Sequence, residues 1–339
     1  MLSAGAAASG PGTVPLSRLV GQTIMSAMAG TTPSQSLLAR IRRGEVGGII
    51  LFGGNVTSQA QARALTARLQ SAARSGGNPP LLIATDQEGG YIRRFPDGPP
   101  VESAATMGRE SASRVAAIGR ATGQYLISAG VDVNLAPVVD VPSSRSSFLG
   151  SRTFSGSARV VARLGPAFVT GVQSARVAAT AKHFPGLGTA SANTDTSNVV
   201  VDTSAGELTR RLAPFRAAIA AGVKLVMVSN AVYPALDRAR LPASLSPAIV
   251  HGLLRGRLGF RGVVITDTLG APGPRSYADA PLRALKAGVD VLLLDDESSS
   301  AAAYEQLLRA ARQGALSRTT LAHTNARIAT LKAWLARRR

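Results

Sequence analysis

The sequence predicts an α/β protein, a single (β/α)8 barrel. Short apolar runs recur along most of the 339 residues, separated by segments with helical periodicity. Some runs, such as Val291-Leu-Leu-Leu294, are continuously apolar, as in strands buried on both faces. Several runs also end in polar or charged residues, the place where a barrel displays its functional groups. An open doubly wound sheet is the alternative arrangement of the same alternation.

Taken in order, strands are expected near residues 22–28, 47–52, 81–85, 131–139, 177–183, 225–229, 263–266 and 289–294. The segments between them read as helices. Ser204-Ala-Gly-Glu207 has the form of a capping box, followed by Leu208, Leu212, Phe215 and Ile219 at helical spacing. Ser246-Pro247 places a cap and a first-turn proline ahead of Ile249, Leu253 and Leu254. Leu321, Ile328, Leu331 and Leu335 form one stripe of a C-terminal helix. No break in composition marks a second domain. Residues 14–339 are therefore expected to form one barrel, preceded by a flexible Gly/Ala/Ser-rich segment at 1–13.

Composition narrows the chemistry. Hydrophobic residues make up 45% of the chain and aromatics only 4%, so the core must be built from Ala, Val, Leu and Ile. The absence of cysteine excludes disulfides, thiolate metal sites and a cysteine nucleophile. The formal charge is +19, but Arg is scattered through the expected helices and not gathered in a block. That distribution reads as a composition bias, with no nucleic-acid partner expected and attraction to acidic cell-wall polymers left open. No run reaches the roughly 18 apolar residues of a membrane helix. Residues 1–13 lack the basic and strongly apolar regions of an intact signal peptide, which leaves cytoplasm and cell envelope both open.

The chemistry-bearing residues cluster after the expected strands. Asp86-Gln87-Glu88-Gly89-Gly90 follows the third, and Gly150-Ser151-Arg152-Thr153-Phe154 lies beyond the fourth. Lys182-His183-Phe184-Pro185-Gly186-Leu187-Gly188 ends the fifth, with Asn193-Thr194-Asp195 in the loop beyond it. Ser229-Asn230 ends the sixth and Asp267 the seventh. Each has an ordinary alternative: Asp86 as a partner of Arg93, Lys182-His183 as a surface pair, Asp195 as a turn residue, Asp267 as a helix cap. His251 and His323 fall in expected helices and read as structural or surface residues. With one candidate histidine and no cysteine, no metal or organic cofactor is expected. Carboxylates on different loops of one barrel face, with a Lys, a His and an Arg among them, suit glycoside hydrolysis.

Four motifs, in this order, resemble glycoside hydrolase family 3: Asp86-Gln-Glu-Gly-Gly, Asn134-Leu-Ala-Pro-Val-Val-Asp140, Lys182-His-Phe-Pro-Gly and the Thr266-Asp267 strand end. The branch most similar is that of single-domain bacterial β-N-acetylglucosaminidases, which Pro242-Ala-Ser-Leu-Ser246 and Leu258-Gly-Phe-Arg-Gly-Val263 also resemble. The resemblance spans roughly residues 18 to 335. It implies Asp267 as nucleophile of a retaining hydrolase. It implies Asp86, Arg152, Lys182 and His183 as the groups that hold the sugar in the first subsite. The substrate so implied is a β-linked N-acetylglucosamine unit of a muropeptide or chitin-like glycan, with no cofactor.

One departure stands out. That branch carries Asp-Ser-His in the loop after strand five, its His being the proton donor; here the same positions read Asn193-Thr194-Asp195. Leu187 and Asn230 also stand where a His is common. Two readings follow. Asp195 replaces the histidine as general acid, its pKa raised by burial and by Asp267. Alternatively, the barrel binds glycan and turns over weakly or not at all.

Overall fold

The computed structural model describes residues 14–144 and 146–337. The segment 1–13, expected to be flexible, lies outside them. Eight parallel strands form one sheet: β1 (Ile24–Ser26), β2 (Gly48–Leu51), β3 (Leu82–Thr85), β4 (Val133–Asn134), β5 (Ala178–Phe184), β6 (Leu225–Val228), β7 (Val263–Thr266) and β8 (Leu292–Leu294). β8 pairs with β1 through Ile24↔Leu292, and the parallel bridge Ile265↔Val291 joins the β7 and β8 sides. The sheet thus closes on itself as a (β/α)8 barrel, which rules out the open doubly wound alternative.

All eight strands fall where expected, but β1 and β8 are half their expected length or less and β4 is the most truncated. The apolar run continues to Val139, but pairing with β3 stops at Leu135, whose N–H donates to the Thr85 carbonyl. Pro137 supplies no donor, and the Asn134 side chain bonds both the N–H and the C=O of Gln87 at 3.0 Å. The chain therefore leaves the ladder there and runs on toward Asp140.

The barrel interior is packed with Met25, Ile50, Leu82, Ala84, Val133, Leu225, Met227, Ile265 and Leu293 among others, all buried. Gly48 has no side chain to spare: a Cβ there would sit 2.9 Å from the Met25 methyl. The C-terminal helix Arg318–Ala336 presents Ile328, Leu331 and Leu335 to this interior core, as its stripe predicted. A second, larger core fills the space between strands and surrounding helices. Among the described residues no helix is long and apolar enough to cross a membrane.

Local signals held with one exception. Ser204 accepts the Glu207 N–H at 3.3 Å, but the Glu207 carboxylate turns to Arg211 at 2.6 Å and does not close the box. Ser246 accepts the Ile249 N–H, and the helix beyond, Ala248–Arg257, is wound wide.

Candidate active site

The strand ends open on a cavity of about 330 Å³, small among ligand pockets and sized for a single sugar ring more than for a chain. Its floor is a layer of four side chains from alternate strands: Ile50 from β2, Leu135 just past β4, Met227 from β6 and Leu293 from β8. Asp86, Arg152, Lys182, His183, Asp195 and Asp267 all line it. The expectation that these loops share one face is met for every one of them.

The deepest feature is a four-residue charge network. Lys182 Nζ lies 2.7 Å from Asp86 Oδ1 and 2.7 Å from Glu88 Oε1. Arg152 grips Glu88 with two parallel bonds of 2.9 Å from Nε and Nη2, the bidentate geometry that fixes a guanidinium in plane. Burial would raise the Glu88 pKa, yet Lys182 and Arg152 hold it at about 2. Burial also works against the Lys182 cation, but Asp86 and Glu88 outweigh it and its pKa is raised. Lys182 is thus a buried, fully neutralised ammonium and not a surface residue. Asp86 keeps one oxygen clear of it and has 14% of its side chain exposed to the cavity.

Glu88 is the group that sequence reasoning missed. It stands inside the Asp86–Gly90 motif, but without knowing that Arg152 and Lys182 converge on it no role could be assigned. Gln87 is also structural: its buried side chain donates to Phe95 O and accepts Phe95 N–H, both at 3.0 Å. The two glycines then turn the chain into a short hairpin, with φ of 107° at Gly89 and 59° at Gly90, values that favour glycine.

β5 offers two successive side chains to the cavity because its register with β6 shifts between Ala181 and Phe184. His183 is fixed by Asp140, whose Oδ2 lies 2.7 Å from Nδ1. The same carboxylate accepts the backbone N–H of His183 and, at 2.7 Å, of Leu187. Asp140 therefore orients the imidazole so that Nε2 faces the cavity. The signal for it was the end of the Asn134–Asp140 motif. Asn230, standing where a His is common, is structural: it donates to Thr268 O and accepts from Ser244, both at 2.7 Å, bracing the loop after β7.

Asp267 leaves β7 with its N–H on Val228 O at 2.9 Å, and its Oδ1 accepts the Thr268 N–H at 2.9 Å. It caps no helix; the next one begins at Pro272. Burial pushes its pKa up; His183 and Lys182 pull it down, while the Asp195 charge adds to the rise. Asp195 is exposed, and its N–H donates to Asn193 Oδ1 at 3.1 Å in a turn. The burial expected of Asp195 is therefore absent, and desolvation falls on Asp267 instead. The reason is local: the polar loop keeps Asp195 exposed at the rim, while Asp267, half-buried, lies deeper in the cavity at the end of β7.

The chain matches the model of the glycosyl hydrolase family 3 N-terminal domain over residues 17–331. This protein belongs to glycosyl hydrolase family 3. A secreted glycosyl hydrolase of uncharacterised function from Arthroderma benhamiae is 37% identical over 93% of both chains. A β-hexosaminidase of Nitrosomonas eutropha is 36% identical over 82% of each. A β-N-acetylhexosaminidase structure from Beutenbergia cavernae superposes with a TM-score of 0.87 at 33% identity, covering 95% of this chain and 99% of that one. The family 3 β-N-acetylglucosaminidase of Paenibacillus sp. str. FPU-7 gives 0.92 at 35% identity, covering 96% of this chain; this chain spans 63% of that one. Membership makes the protein a glycosidase, and among the described residues the barrel mouth brings carboxylates and cations together around one cavity. Among the described residues no group of His, Asp and Glu is arranged to hold a metal ion.

The network makes a testable statement about Asp86. A charge-assisted hydrogen bond contributes roughly 1.5–3 kcal/mol. Asp86→Ala should weaken binding of a sugar ligand by about 10- to 100-fold, without unfolding, because Lys182 keeps its 2.7 Å bond to Glu88. Calorimetric titration returning wild-type affinity would remove Asp86 from the site.

Proposed function

We propose that this glycosidase is a retaining β-N-acetylhexosaminidase that releases terminal β-linked GlcNAc from cell-wall-derived or chitin-like glycans. Asp86, Arg152, Lys182 and His183 hold the sugar hydroxyls. An Asp267 carboxylate oxygen bonds to the anomeric carbon as the glycosidic C–O bond breaks, and Asp195 gives its proton to the departing oxygen. Water then attacks the glycosyl ester and returns a proton to Asp195. The observation that carries this reading is Asp267, a carboxylate at a strand end, lining a sugar-sized cavity beside a fixed network of two cations and two carboxylates. The relatives named hexosaminidases support the choice of sugar.

A second reading rests on the exposed position of Asp195: a glycan-binding barrel, inactive or weakly active, that has lost the family's acid/base histidine. Hydrolysis of an aryl N-acetyl-β-glucosaminide by purified protein, with the anomer of the first product followed by NMR, separates the two. Release of the β-anomer supports the retaining enzyme. Binding of GlcNAc without turnover supports the second reading.

The charge enters separately. If +19 acts only at long range, turnover of a small neutral glycoside should vary little with salt, since screening weakens mainly distant attraction. Initial rates at low and high ionic strength check this; a steep decline on the neutral substrate would contradict it.

A further inference from the structure

The cations are not spread evenly. The catalytic cavity is lined by five carboxylates, Asp86, Glu88, Asp195, Asp267 and Asp295, against three cations. At the opposite end of the barrel, where β6 and β7 begin, lie two clefts of about 520 and 790 Å³ that share Arg261, His323 and Arg327. Lys224, Arg255, Arg261, Lys286, Arg327 and Arg337 line them, with no Asp or Glu. A composition bias alone does not divide charge in this way.

We propose that these joined clefts are a second binding site, for a strand of acidic polysaccharide carrying carboxylate or phosphate groups. The one carboxylate beneath them, Asp290, is buried and already bonded by Arg255 at 2.6 Å and Arg327 at 2.8 Å. The side chains of Arg261, Lys286 and Arg337 make no hydrogen bond or ion pair among the described residues, and all three residues are exposed. The positive charge is crowded: burial lowers the Arg255 pKa, and Arg327 and Arg261 add to the fall against Asp290. Burial lowers Lys224 likewise, with Arg176 adding to it. An arriving anion relieves that crowding and gives the free cations partners.

The geometry favours polysaccharide over single-stranded nucleic acid. Base recognition needs a free aromatic face, and the one tryptophan here, Trp334, already carries Lys224 at 4.9 Å and Arg176 at 5.3 Å. Such a site would tether the enzyme to an acidic glycan matrix while the other end of the barrel stays open for the sugar to be cleaved. The inference does not depend on which sugar the catalytic cavity takes.

The test compares two triple variants with the same loss of charge. One is Arg261→Gln, Lys286→Gln, Arg337→Gln. The other removes three exposed arginines of the helix Gln59–Ser75, as Arg63→Gln, Arg68→Gln, Arg74→Gln. Binding is titrated with polygalacturonate, with inorganic polyphosphate and with a DNA duplex at fixed ionic strength. The cleft variant should lose about tenfold or more in affinity for the acidic polymers, by the cost of removing several ionic contacts, and the helix variant should keep most of it. Hydrolysis of a small aryl glycoside should be the same in both. The stronger of the first two probes identifies carboxylate or phosphate as the group recognised. Equal losses in the two variants, no polymer binding, or tighter binding to DNA would each overturn the proposal.

Discussion

Asp267→Ala is expected to reduce kcat by a factor of at least about 10⁴, the scale seen when a covalent nucleophile is removed, while leaving sugar affinity close to wild type. The affinity survives because Asp86, Arg152, Lys182 and His183 are held by Glu88 and Asp140 and not by Asp267. Rates and ligand titration on the same preparation check both halves. Wild-type-like turnover would end the nucleophile assignment. Asp267→Asn adds a stability readout. The folded-state pKa of Asp267 lies above its usual value, chiefly through burial. The fold therefore favours the protonated acid, and the ionised form costs stability at every pH above the folded pKa. The cost shrinks as pH falls and is gone below the unfolded pKa of about 3.9. Asp267→Asn should accordingly melt at a higher temperature than wild type at neutral pH, with the gap closing toward pH 3. A desolvated carboxylate that destabilises its own fold is what a site kept for chemistry looks like.

The sequence carried the barrel in its strand ends: the apolar runs became strands, and cavity-lining side chains lie at or just beyond several of their ends, Asp86 after β3, Lys182 and His183 late in β5 and Asp267 after β7. What it could not carry was pairing across distance. Lys182 and Asp86 stand 96 residues apart and Arg152 and Glu88 are 64 apart, and nothing local to either signals the other. Glu88 and Asp140 were visible only as letters inside motifs, because their work is done on side chains brought by other strands. Burial of the two acidic residues was also illegible. A turn set by Asn193 leaves Asp195 exposed at the rim, whereas Asp267 directly follows β7 and is half-buried in the cavity, so the burial expected of Asp195 is not found. The truncation of β4 belongs to the same class: hydrophobic pattern marks a buried strand, but a proline and one asparagine side chain decide where the ladder stops.

The exposed position of Asp195 gives the missing histidine its sharpest test. A nitrophenolate leaves with almost no protonation, whereas a sugar hydroxyl needs a proton as the bond breaks. If Asp195 is the donor, Asp195→Ala should slow hydrolysis of a GlcNAc disaccharide by about 10²- to 10⁴-fold, the usual range for a general acid, and largely spare the aryl glycoside. The variant should also change the pH profile in a direction the structure fixes. If Asp267 is the nucleophile it must be ionised to attack, so the acid side of the aryl-glycoside profile should follow its pKa. The Asp195 charge helps to raise that pKa, so removing it should move the rising limb to lower pH. Asp195→Asn should shift the limb the same way, since it also removes the charge, and a purely steric effect of the alanine would not be shared by it. A limb that stays in place in both variants would mean that the two carboxylates do not interact across the cavity. Equal slowing of disaccharide and aryl glycoside would mean that Asp195 does not protonate the leaving oxygen. The second result would leave the leaving oxygen without a donor from this loop, because Asp195 is the one acid among the loop residues Asn193, Thr194 and Asp195 that line the cavity.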